Sequence, residues 1–423
     1  MISGRRRRVH LPALSLSTFS FSTHWFHSQA ALQLDSVTMI ARSLTILVWV
    51  VSFLQHEAAA AATWPSSSDQ IEDLMFLMTG YGAQSFAESV TPCTSQGVEG
   101  FISAAQWVRL AFHDMGTANV DTGVGGLDAS IVYETNADTN NSPGFNASLQ
   151  QFAPFLTSRS SMSDIIALGV YTAVRNCGGP VVQIRTGRID ATSAGPDPDV
   201  FLPVPQNPIG TFESQFSRLG FTTTQMISLV ACGHTLGQVH ESTFPQIALS
   251  GTQSFDSTPS GFDPKIASEY IGGTSSDPLV VGAATTFNSD LRIFEADNNA
   301  TISSMTNSAT FNNVCSSILQ QMIEVVPTGV TLSSPIVVYD VKPYALQLTL
   351  LNGGTLLSFT GEIRVRTTVV PASQIVSVQL VFMDRNGGSN CGTGGCTISS
   401  TYVGSSAGLD DSFVVSFIPL HVL

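Results

Sequence analysis

An arginine and a histidine stand four residues apart in the stretch RLAFHD, as Arg109 and His113. In an α-helix, residues at i and i+4 project from the same face, about one turn apart. A buried arginine is costly unless an anionic or strongly polarised group faces it. A neutral histidine can accept and return a proton. The pair therefore predicts either a structural hydrogen-bonded couple or a site that handles a polar ligand and its proton.

A second histidine helix is predicted from the stretch LVACGHTLGQVH, which contains His234 and His240. Three small residues, 231 to 233, precede His234 and would let a flat, bulky group approach the helix backbone. At about 100° per residue, six positions place the two histidines on different faces of a helix. They are therefore not expected to share a metal ion. A single histidine ligand, the separate Arg/His face and a mainly helical secreted domain together suggest haem held between two helices.

Oxygen ligands for a hard cation are found just after the first histidine. Asp114 and the downstream GLDAS supply the carboxylates of Asp114 and Asp128, the hydroxyl of Ser130 and the carbonyl of Gly126, with Thr117 as a further candidate carbonyl. This set has the chemistry of a Ca²⁺ site. For GLDAS taken by itself, an ordinary Asp/Gly/Ser turn is the alternative.

The elements that must position these residues are helices. From Trp64 to about Val326, apolar residues recur at spacings of three and four, which predicts amphipathic helices. The predicted segments are DQIEDLMFLMTGYG, GFISAAQWVRLAFHDM, MSDIIALGVYTAVRNCGG, TTTQMISLVACGHTLGQVH and NSATFNNVCSSILQQMIEV. The long loop TGRIDATSAGPDPDVFLPVPQNP lies between them, and loops of that length usually carry function.

After Pro327 the pattern changes to short β-branched runs at the spacing expected of a β-sandwich. These runs are PIVVYDV, ALQLTLL, TGEIRVRTTVV, IVSVQLVFMD and SFVVSFIPL, and CGTGGC at 391–396 predicts a loop closed by a local disulfide. The chain is thus predicted to be mainly α, with a helical domain over 63–326 and a small all-β, sandwich-like domain over 327–423. The abrupt end at FIPLHVL suggests that the second domain is truncated.

Composition agrees with a globular chain of two domains. The 423 residues exceed what one hydrophobic core usually supports, and 43% of them are hydrophobic while 11% are charged. A net charge of -14 argues against nucleic acid or an anionic membrane surface as a partner.

Residues 1–62 read as an N-terminal extension and a secretory signal rather than as part of the fold. Met39 is the expected true start, because a basic residue, an apolar stretch and an alanine tract follow it in order. The apolar stretch, 44–54, is too short to span a bilayer, so no stable membrane anchor is expected. Six cysteines and two sequons, at Asn146 and Asn299, are compatible with a secreted, disulfide-bonded glycoprotein.

Taken in order, the motifs RLAFHD, GGLDAS, ETNADTN, LVACGHTLGQVH, FDSTPSGFD and NSD resemble the plant, fungal and bacterial haem peroxidase superfamily, most of all its secreted fungal, class II-like members. The resemblance covers about Trp64 to Val326. It implies haem b held between a distal and a proximal helix, together with two Ca²⁺ ions. The β-rich part lies outside it.

The resemblance also implies roles for individual residues. On the distal side it implies Arg109, Phe112 and His113, with Asn140 orienting the histidine and Glu134 continuing that chain. On the proximal side it implies His234 as the iron ligand, Asp290 as its carboxylate partner and Phe255 packed beneath the haem. The implied proximal Ca²⁺ ligands are Thr235, Asp256, Thr258, Gly261 and Asp263.

The resemblance further implies a disulfide between Cys93 and Cys177. Cys232 and Cys315, the two cysteines that remain in the helical domain, are the candidate for a second pair. The disulfide connectivity of the chain therefore stays open.

The implied activity is reduction of hydrogen peroxide with one-electron donors, through ferryl haem intermediates. Manganese-oxidising relatives carry carboxylates where this chain has Ile102, Gln106 and His240, and the surface tryptophan of lignin-degrading relatives matches Leu229. Small phenols or similar aromatic reductants at the haem edge, near LPVP at 202–205, are therefore the expected donors.

Two other functions compete with this one. The first is a non-catalytic secreted binding protein, in which the β domain contacts a carbohydrate or cell surface and the helical domain is only a scaffold. The second is a Ca²⁺-stabilised zinc hydrolase. The histidine spacing and the lack of a paired glutamate disfavour the hydrolase.

Overall fold

A computed structural model describes residues 66–381, 388 and 396–422. The predicted signal segment, the expected start at Met39 and residues 391–395 of CGTGGC lie outside this range. The described chain divides into a helical unit, 66–339 with 406–412, and a β-rich unit formed by the described residues of 340–405 and 413–423. About 39% of the described residues are helical, so "mainly α" describes the helical unit but not the described chain as a whole.

The helical unit contains the eleven α-helices of the described residues and three pairs of short strand segments. Its helices are α1 (Asp69–Phe76), α2 (Ser103–Met115), α3 (Pro143–Phe152), α4 (Met162–Asn176), α5 (Pro198–Phe201), α6 (Ile209–Arg218), α7 (Thr223–His234), α8 (Lys265–Ile271), α9 (Ser289–Phe294), α10 (Ala300–Ser304) and α11 (Ser308–Glu324). The strands are β1 (Thr79–Gly80), which pairs with residues 406–407, β2 (Gln96–Val98) with β3 (Phe101–Ile102), and β4 (Gln238–His240) with β5 (Thr252–Ser254).

Two helix pairs form the frame of the helical unit. Helix α2 packs against α4, and α7 packs against α11. The apolar stripe of α2, which includes Trp107 and Leu110, is fully buried, as its periodicity predicts. Disulfides join Cys93 to Cys177 and Cys232 to Cys315, so both expected pairings form in the structure.

Local signals set the ends of α7. At its start, the side chain of Thr222 accepts a hydrogen bond from the backbone of Gln225, whose own side chain bonds back to Thr222. The helix ends at His234, and Gly237 follows with φ +96°, a backbone conformation that favours glycine. The expected continuation of this helix to His240 is therefore wrong, because His240 lies on β4.

The β-rich unit is built on three long antiparallel strands. Strand β7 (Leu356–Arg366) pairs with β6 (Val341–Leu351) on one side and with β11 (Ser412–Val422) on the other. Strands β8 (Gln379–Val381) and β9 (Thr397–Ser399) form a separate pair, and β10 (Thr401–Ala407) precedes β11. Leu380 and Ile398 of the small pair share one buried cluster with Ile363, Val365, Val414 and Ile418, which gives this unit a layered core.

One predicted strand does not form. The run PIVVYDV predicted a strand, but residues 335–340 join no sheet, and β6 begins only at Val341. Residues 335–339 instead belong to the helical unit, within which Ile336 N donates to Ile184 O (2.7 Å). A β-branched composition indicates an extended backbone, but a strand also needs a neighbouring strand to pair with.

Candidate active site

A large cavity lies between α2 and α7. It encloses about 1420 Å³ of empty space, part of which is open to solvent. Helix α2 contributes Arg109, Phe112 and His113 to its wall, and α7 contributes Gly233 and His234. The two histidine helices that the sequence indicates therefore face one shared space.

On the α2 side, a chain of hydrogen bonds orients His113. Its Nδ1 lies 2.9 Å from Oδ1 of Asn140, and Nδ2 of Asn140 donates to Oε2 of Glu134 (3.4 Å). Oε1 of Glu134 accepts from the backbone N–H of Gly195 (2.7 Å). Because the amide oxygen of Asn140 can only accept, Nδ1 of His113 must carry the proton, and Nε2 is left as an acceptor.

Electrostatics keep His113 neutral. Burial holds the pKa of His113 well below its ordinary value, and the positive charge of Arg109 lowers it further, while the hydrogen bond that His113 donates to Asn140 acts in the opposite direction. Burial also lowers the pKa of Arg109 to about 10, which leaves the guanidinium charged at neutral pH. Within the described part of the chain, no carboxylate forms an ion pair with Arg109. A neutral base and an unpaired cation therefore line the same wall.

Phe145 is a site residue that the sequence reasoning missed. Its ring centroid lies 4.7 Å from the guanidinium carbon of Arg109 and 4.8 Å from the ring of His113. The only signal in its neighbourhood, the sequon at Asn146, concerns glycosylation. The preceding Gly144 allows close packing here, because a Cβ at that position would lie 2.3 Å from Oε1 of Gln106.

On the opposite wall, a carboxylate orients His234. Nδ1 of His234 lies 2.5 Å from Oδ2 of Asp290, at the start of α9, so Nε2 of the ring is free to bind a metal. Oδ1 of Asp290 accepts a hydrogen bond from Oγ of Ser289 (3.0 Å). The ring of Phe255 stacks on His234, with 4.3 Å between centroids and an interplanar angle of 5°. The predicted proximal trio thus lies together.

The residues of this cavity fit a haem. A Cβ added at Gly233 would meet no atom within 4 Å, so there is open space beside the helix next to His234. The lining is largely apolar, with Phe112, Leu236 and Phe255 among its residues. A flat apolar macrocycle would fit this space, and His234 would hold its metal.

Three of the predicted distal Ca²⁺ ligands, Asp114, Asp128 and Ser130, lie close together. Both oxygens of Asp114 accept backbone hydrogen bonds from the loop that carries Asp128 and Ser130, at Ala129 (2.8 Å) and Ile131 (3.0 Å). The hydroxyl of Ser130 is buried and lacks a partner with hydrogen-bond geometry. A buried hydroxyl and two buried carboxylates fit a small cation bound between them.

The predicted proximal Ca²⁺ ligands are also brought together. Oγ1 of Thr235 contacts the backbone of Asp263, and Oδ1 of Asp256 accepts from the backbone N–H of Thr258 (2.8 Å). Gly261 borders Thr258 and Asp263. Oδ2 of Asp256 is buried without a partner. No group of three or more His, Cys, Asp or Glu side chains among the described residues forms a metal cluster, and both candidate sites instead combine carboxylates with hydroxyls and carbonyls.

Most of the remaining sequence-indicated positions line the cavity. Gln106 and His240 line the cavity, whereas Ile102 is buried outside its lining. Leu229 lines the cavity and is almost fully buried. Pro203 and Pro205 of the LPVP stretch also border the cavity.

No helix of the described residues has the length and hydropathy needed to cross a membrane.

Comparisons with known proteins give a family and several relatives. A family model described as Peroxidase matches residues 98–317. A protein of Arthroderma benhamiae named "WSC domain-containing protein" is 51% identical over 376 residues, which cover 86% of this chain and 51% of that protein. The chain thus spans about half the length of this relative.

Two of the other relatives have peroxidase names and match shorter stretches. "Putative L-ascorbate peroxidase 6" of Arabidopsis thaliana is 35% identical, over 32% of this chain and 41% of its own length. A mitochondrial cytochrome c peroxidase of Emericella nidulans is 32% identical, over 31% of this chain and 37% of its own length. The matched family region, 98–317, contains both histidine helices of the cavity.

Proposed function

Because the chain belongs to the peroxidase family, within the plant and fungal haem peroxidase superfamily, we propose that it reduces hydrogen peroxide at a haem b held by His234. Two one-electron donors supply the electrons, and two protons complete the reduction of peroxide to water. The observation that carries this proposal is the pair of oriented histidines on opposite walls of one cavity.

The α2 wall carries the proton chemistry of the proposal. Bound haem supplies the iron centre at which the O–O bond breaks and through which donor electrons pass. Nε2 of His113, the unprotonated nitrogen, takes one proton from peroxide and returns it to the departing oxygen. The charged guanidinium of Arg109 stabilises the negative charge that develops on that oxygen. Asn140 keeps His113 in the tautomer whose Nε2 can accept the peroxide proton.

The α7 wall orients the metal ligand. Nδ1 of His234 donates a hydrogen bond to Asp290. This bond fixes the orientation of the ring and raises the basicity of Nε2. Phe255 packs flat against the same ring. The two histidines therefore have different tasks, set by a neutral amide on one wall and a carboxylate on the other.

Two Ca²⁺ ions and an extracellular location complete the proposal. The orphaned oxygens of Ser130 and Asp256 support a cation at each predicted site. The proposed donors are small phenols or similar aromatic reductants that reach the apolar mouth near Pro203 and Pro205. Contact of the β-rich unit with a carbohydrate or cell surface is the proposed role for that unit.

The test is reaction of the haem-loaded full chain with one equivalent of hydrogen peroxide, followed by the Soret band. The expected result is a spectral change that a phenol reverses. The His113→Ala variant should bind haem but react roughly 10²–10⁴-fold more slowly. Leu249→Ala, at a residue that is 71% exposed and outside the cavity lining, is the matched control and should react normally. Haem binding without a peroxide reaction would favour the scaffold function, and no haem binding would reject the proposal.

A further inference from the structure

A second buried carboxyl group, Asp277, lies on the proximal side of the cavity. Its residue is completely inaccessible to solvent. Oδ1 accepts one hydrogen bond, from the backbone N–H of Leu279 (2.8 Å), whereas no donor in the described chain reaches Oδ2. A buried carboxyl oxygen without a partner is costly, so this group needs an explanation.

The carboxyl group of Asp290 lies near that of Asp277, and its negative charge, with a smaller effect from Asp256, acts on Asp277. The backbone holds the two groups together. The N–H groups of Asp290 and Leu291 both donate to the carbonyl of Leu279, at 3.1 and 3.2 Å. The turn that begins at Asp277 is therefore attached to the first turn of α9, and the proximity of the carboxyls is part of the fold.

Two carboxyl groups can share a hydrogen bond only if one of them carries a proton. Asp290 accepts from Nδ1 of His234 and from Oγ of Ser289, and such donors stabilise a charged carboxylate. Asp277 accepts only one backbone N–H. Burial raises the pKa of Asp277 well above its ordinary value, and the charge of Asp290 raises it further. The negative charge therefore belongs to Asp290 and the proton to Asp277.

We propose that Asp277 is a protonated positioning residue whose Oδ2–H donates a hydrogen bond to the Asp290 carboxylate and thereby limits how strongly Asp290 attracts the Nδ1 proton of His234. The proposal rests on the proposed function only in taking His234 as the haem ligand. Phe255, the aromatic residue stacked on His234, has no hydrogen-bond donor that could take this role towards Asp290. With Asp277 in place, His234 keeps more neutral imidazole character and donates less electron density to a bound metal.

The first test asks whether Asp277 carries a proton. The infrared difference spectrum of the haem-loaded full chain minus Asp277→Asn, at neutral pH, should show the loss of one protonated carboxyl C=O band. Loss of carboxylate bands instead would overturn the proposal. The measurement can be repeated on the haem-free protein. It therefore gives an answer even if the proposed function is wrong. A separate measurement tests that function: if the His234→Ala variant binds haem as well as the unmodified protein does, His234 is not the haem ligand.

The second test is the ferric/ferrous midpoint potential of the haem-loaded protein in two variants. Asp277→Asn keeps an N–H donor towards Asp290, and its potential should stay close to that of the unmodified protein. Asp277→Ala removes the donor, so the potential should shift to more negative values, with a stronger iron–histidine stretch in the Raman spectrum.

The opposite sign would overturn the proposal. If Asp277 were ionised, both variants would remove a negative charge near His234, and both potentials would become more positive. Equal potentials in all three proteins would show that Asp277 has only a structural role. If the alanine variant does not fold, the infrared comparison with Asp277→Asn decides alone.

Discussion

At the scale of single residues, the two walls of the cavity show how one side-chain type is given two tasks. Nδ1 of His113 donates to the neutral amide of Asn140, whereas Nδ1 of His234 donates to the carboxylate of Asp290. An amide acceptor fixes the tautomer but adds no charge, so His113 stays a weak base that readily releases a proton. A carboxylate raises basicity at the other nitrogen, which favours metal binding.

A third histidine allows a prediction about pH. His240 is buried against Phe101, with 3.8 Å between ring centroids, and its Nε2 has no partner. Burial, assisted by the charge of Arg109, lowers the pKa of His240 from 6.5 to about 4. A depressed pKa means that the unfolded chain binds the proton more tightly than the folded chain does. Stability of the haem-free protein should therefore fall as the pH drops from 6.5 towards 4.

The His240→Phe variant should remove this contribution while keeping the stack on Phe101. Urea unfolding of both proteins across that pH range should show a difference in free energy of unfolding that changes by up to about 1.4 kcal/mol per pH unit. Above pH 6.5 the difference should be constant. Parallel curves throughout the range would mean that His240 does not stay neutral in the folded protein.

At the scale of elements, the disulfide between Cys232 and Cys315 joins α7 to α11 two residues before His234. Replacing both cysteines by alanine should lower the free energy of unfolding by roughly 2–5 kcal/mol, because the unfolded chain regains the freedom of a long loop. Since α7 also carries His234, haem affinity should fall too. Urea unfolding and haem titration measure the two effects.

The matched control is the other disulfide, between Cys93 and Cys177, which closes a loop of nearly the same length. Its double alanine variant should lose similar stability, because the loop-closure effect depends on length. Haem affinity should be less affected, since neither cysteine lies on α7, the helix that carries His234. Equal losses of haem affinity in both variants would show that global stability, and not the position of α7, governs haem binding.

At the scale of the whole molecule, the proposed Ca²⁺ ions would connect loops that the helices do not hold by themselves. Removing calcium with a chelator should lower the melting temperature. A ligand at about 100 times its Kd stabilises the folded state by about 2.7 kcal/mol. Asp128→Asn and Asp256→Asn should each reduce bound calcium by one ion, as measured by elemental analysis.

The control for calcium is Glu213→Gln, at an exposed position away from both sites. It should leave bound calcium and the effect of the chelator unchanged. If neither aspartate variant changes the amount of bound calcium, the buried oxygens of Ser130 and Asp256 need another explanation. The same elemental analysis separates a calcium protein from a zinc hydrolase, because it identifies the bound metal.

Much of the helical unit and one face of the site could be predicted from the sequence. The helix that carries Arg109, Phe112 and His113 follows from apolar spacing within one stretch, and the i, i+4 pair lies on one face by helix geometry alone. The predicted helix that contains His234 extends too far, because the structure has a short strand at His240. Nothing in the run PIVVYDV indicates that no neighbouring strand is available to pair with it.

By itself, the sequence determined the five helical segments named from it, including the two that carry His113 and His234, and, through its ordered motifs, the family. Only the tertiary structure decided that Phe145 packs on Arg109, that His240 stacks on Phe101 and that Asp277 meets Asp290. The reason is physical. Periodicity is encoded within one or two turns of neighbouring residues, whereas contacts between distant segments depend on how the whole unit packs and on which buried groups find partners there.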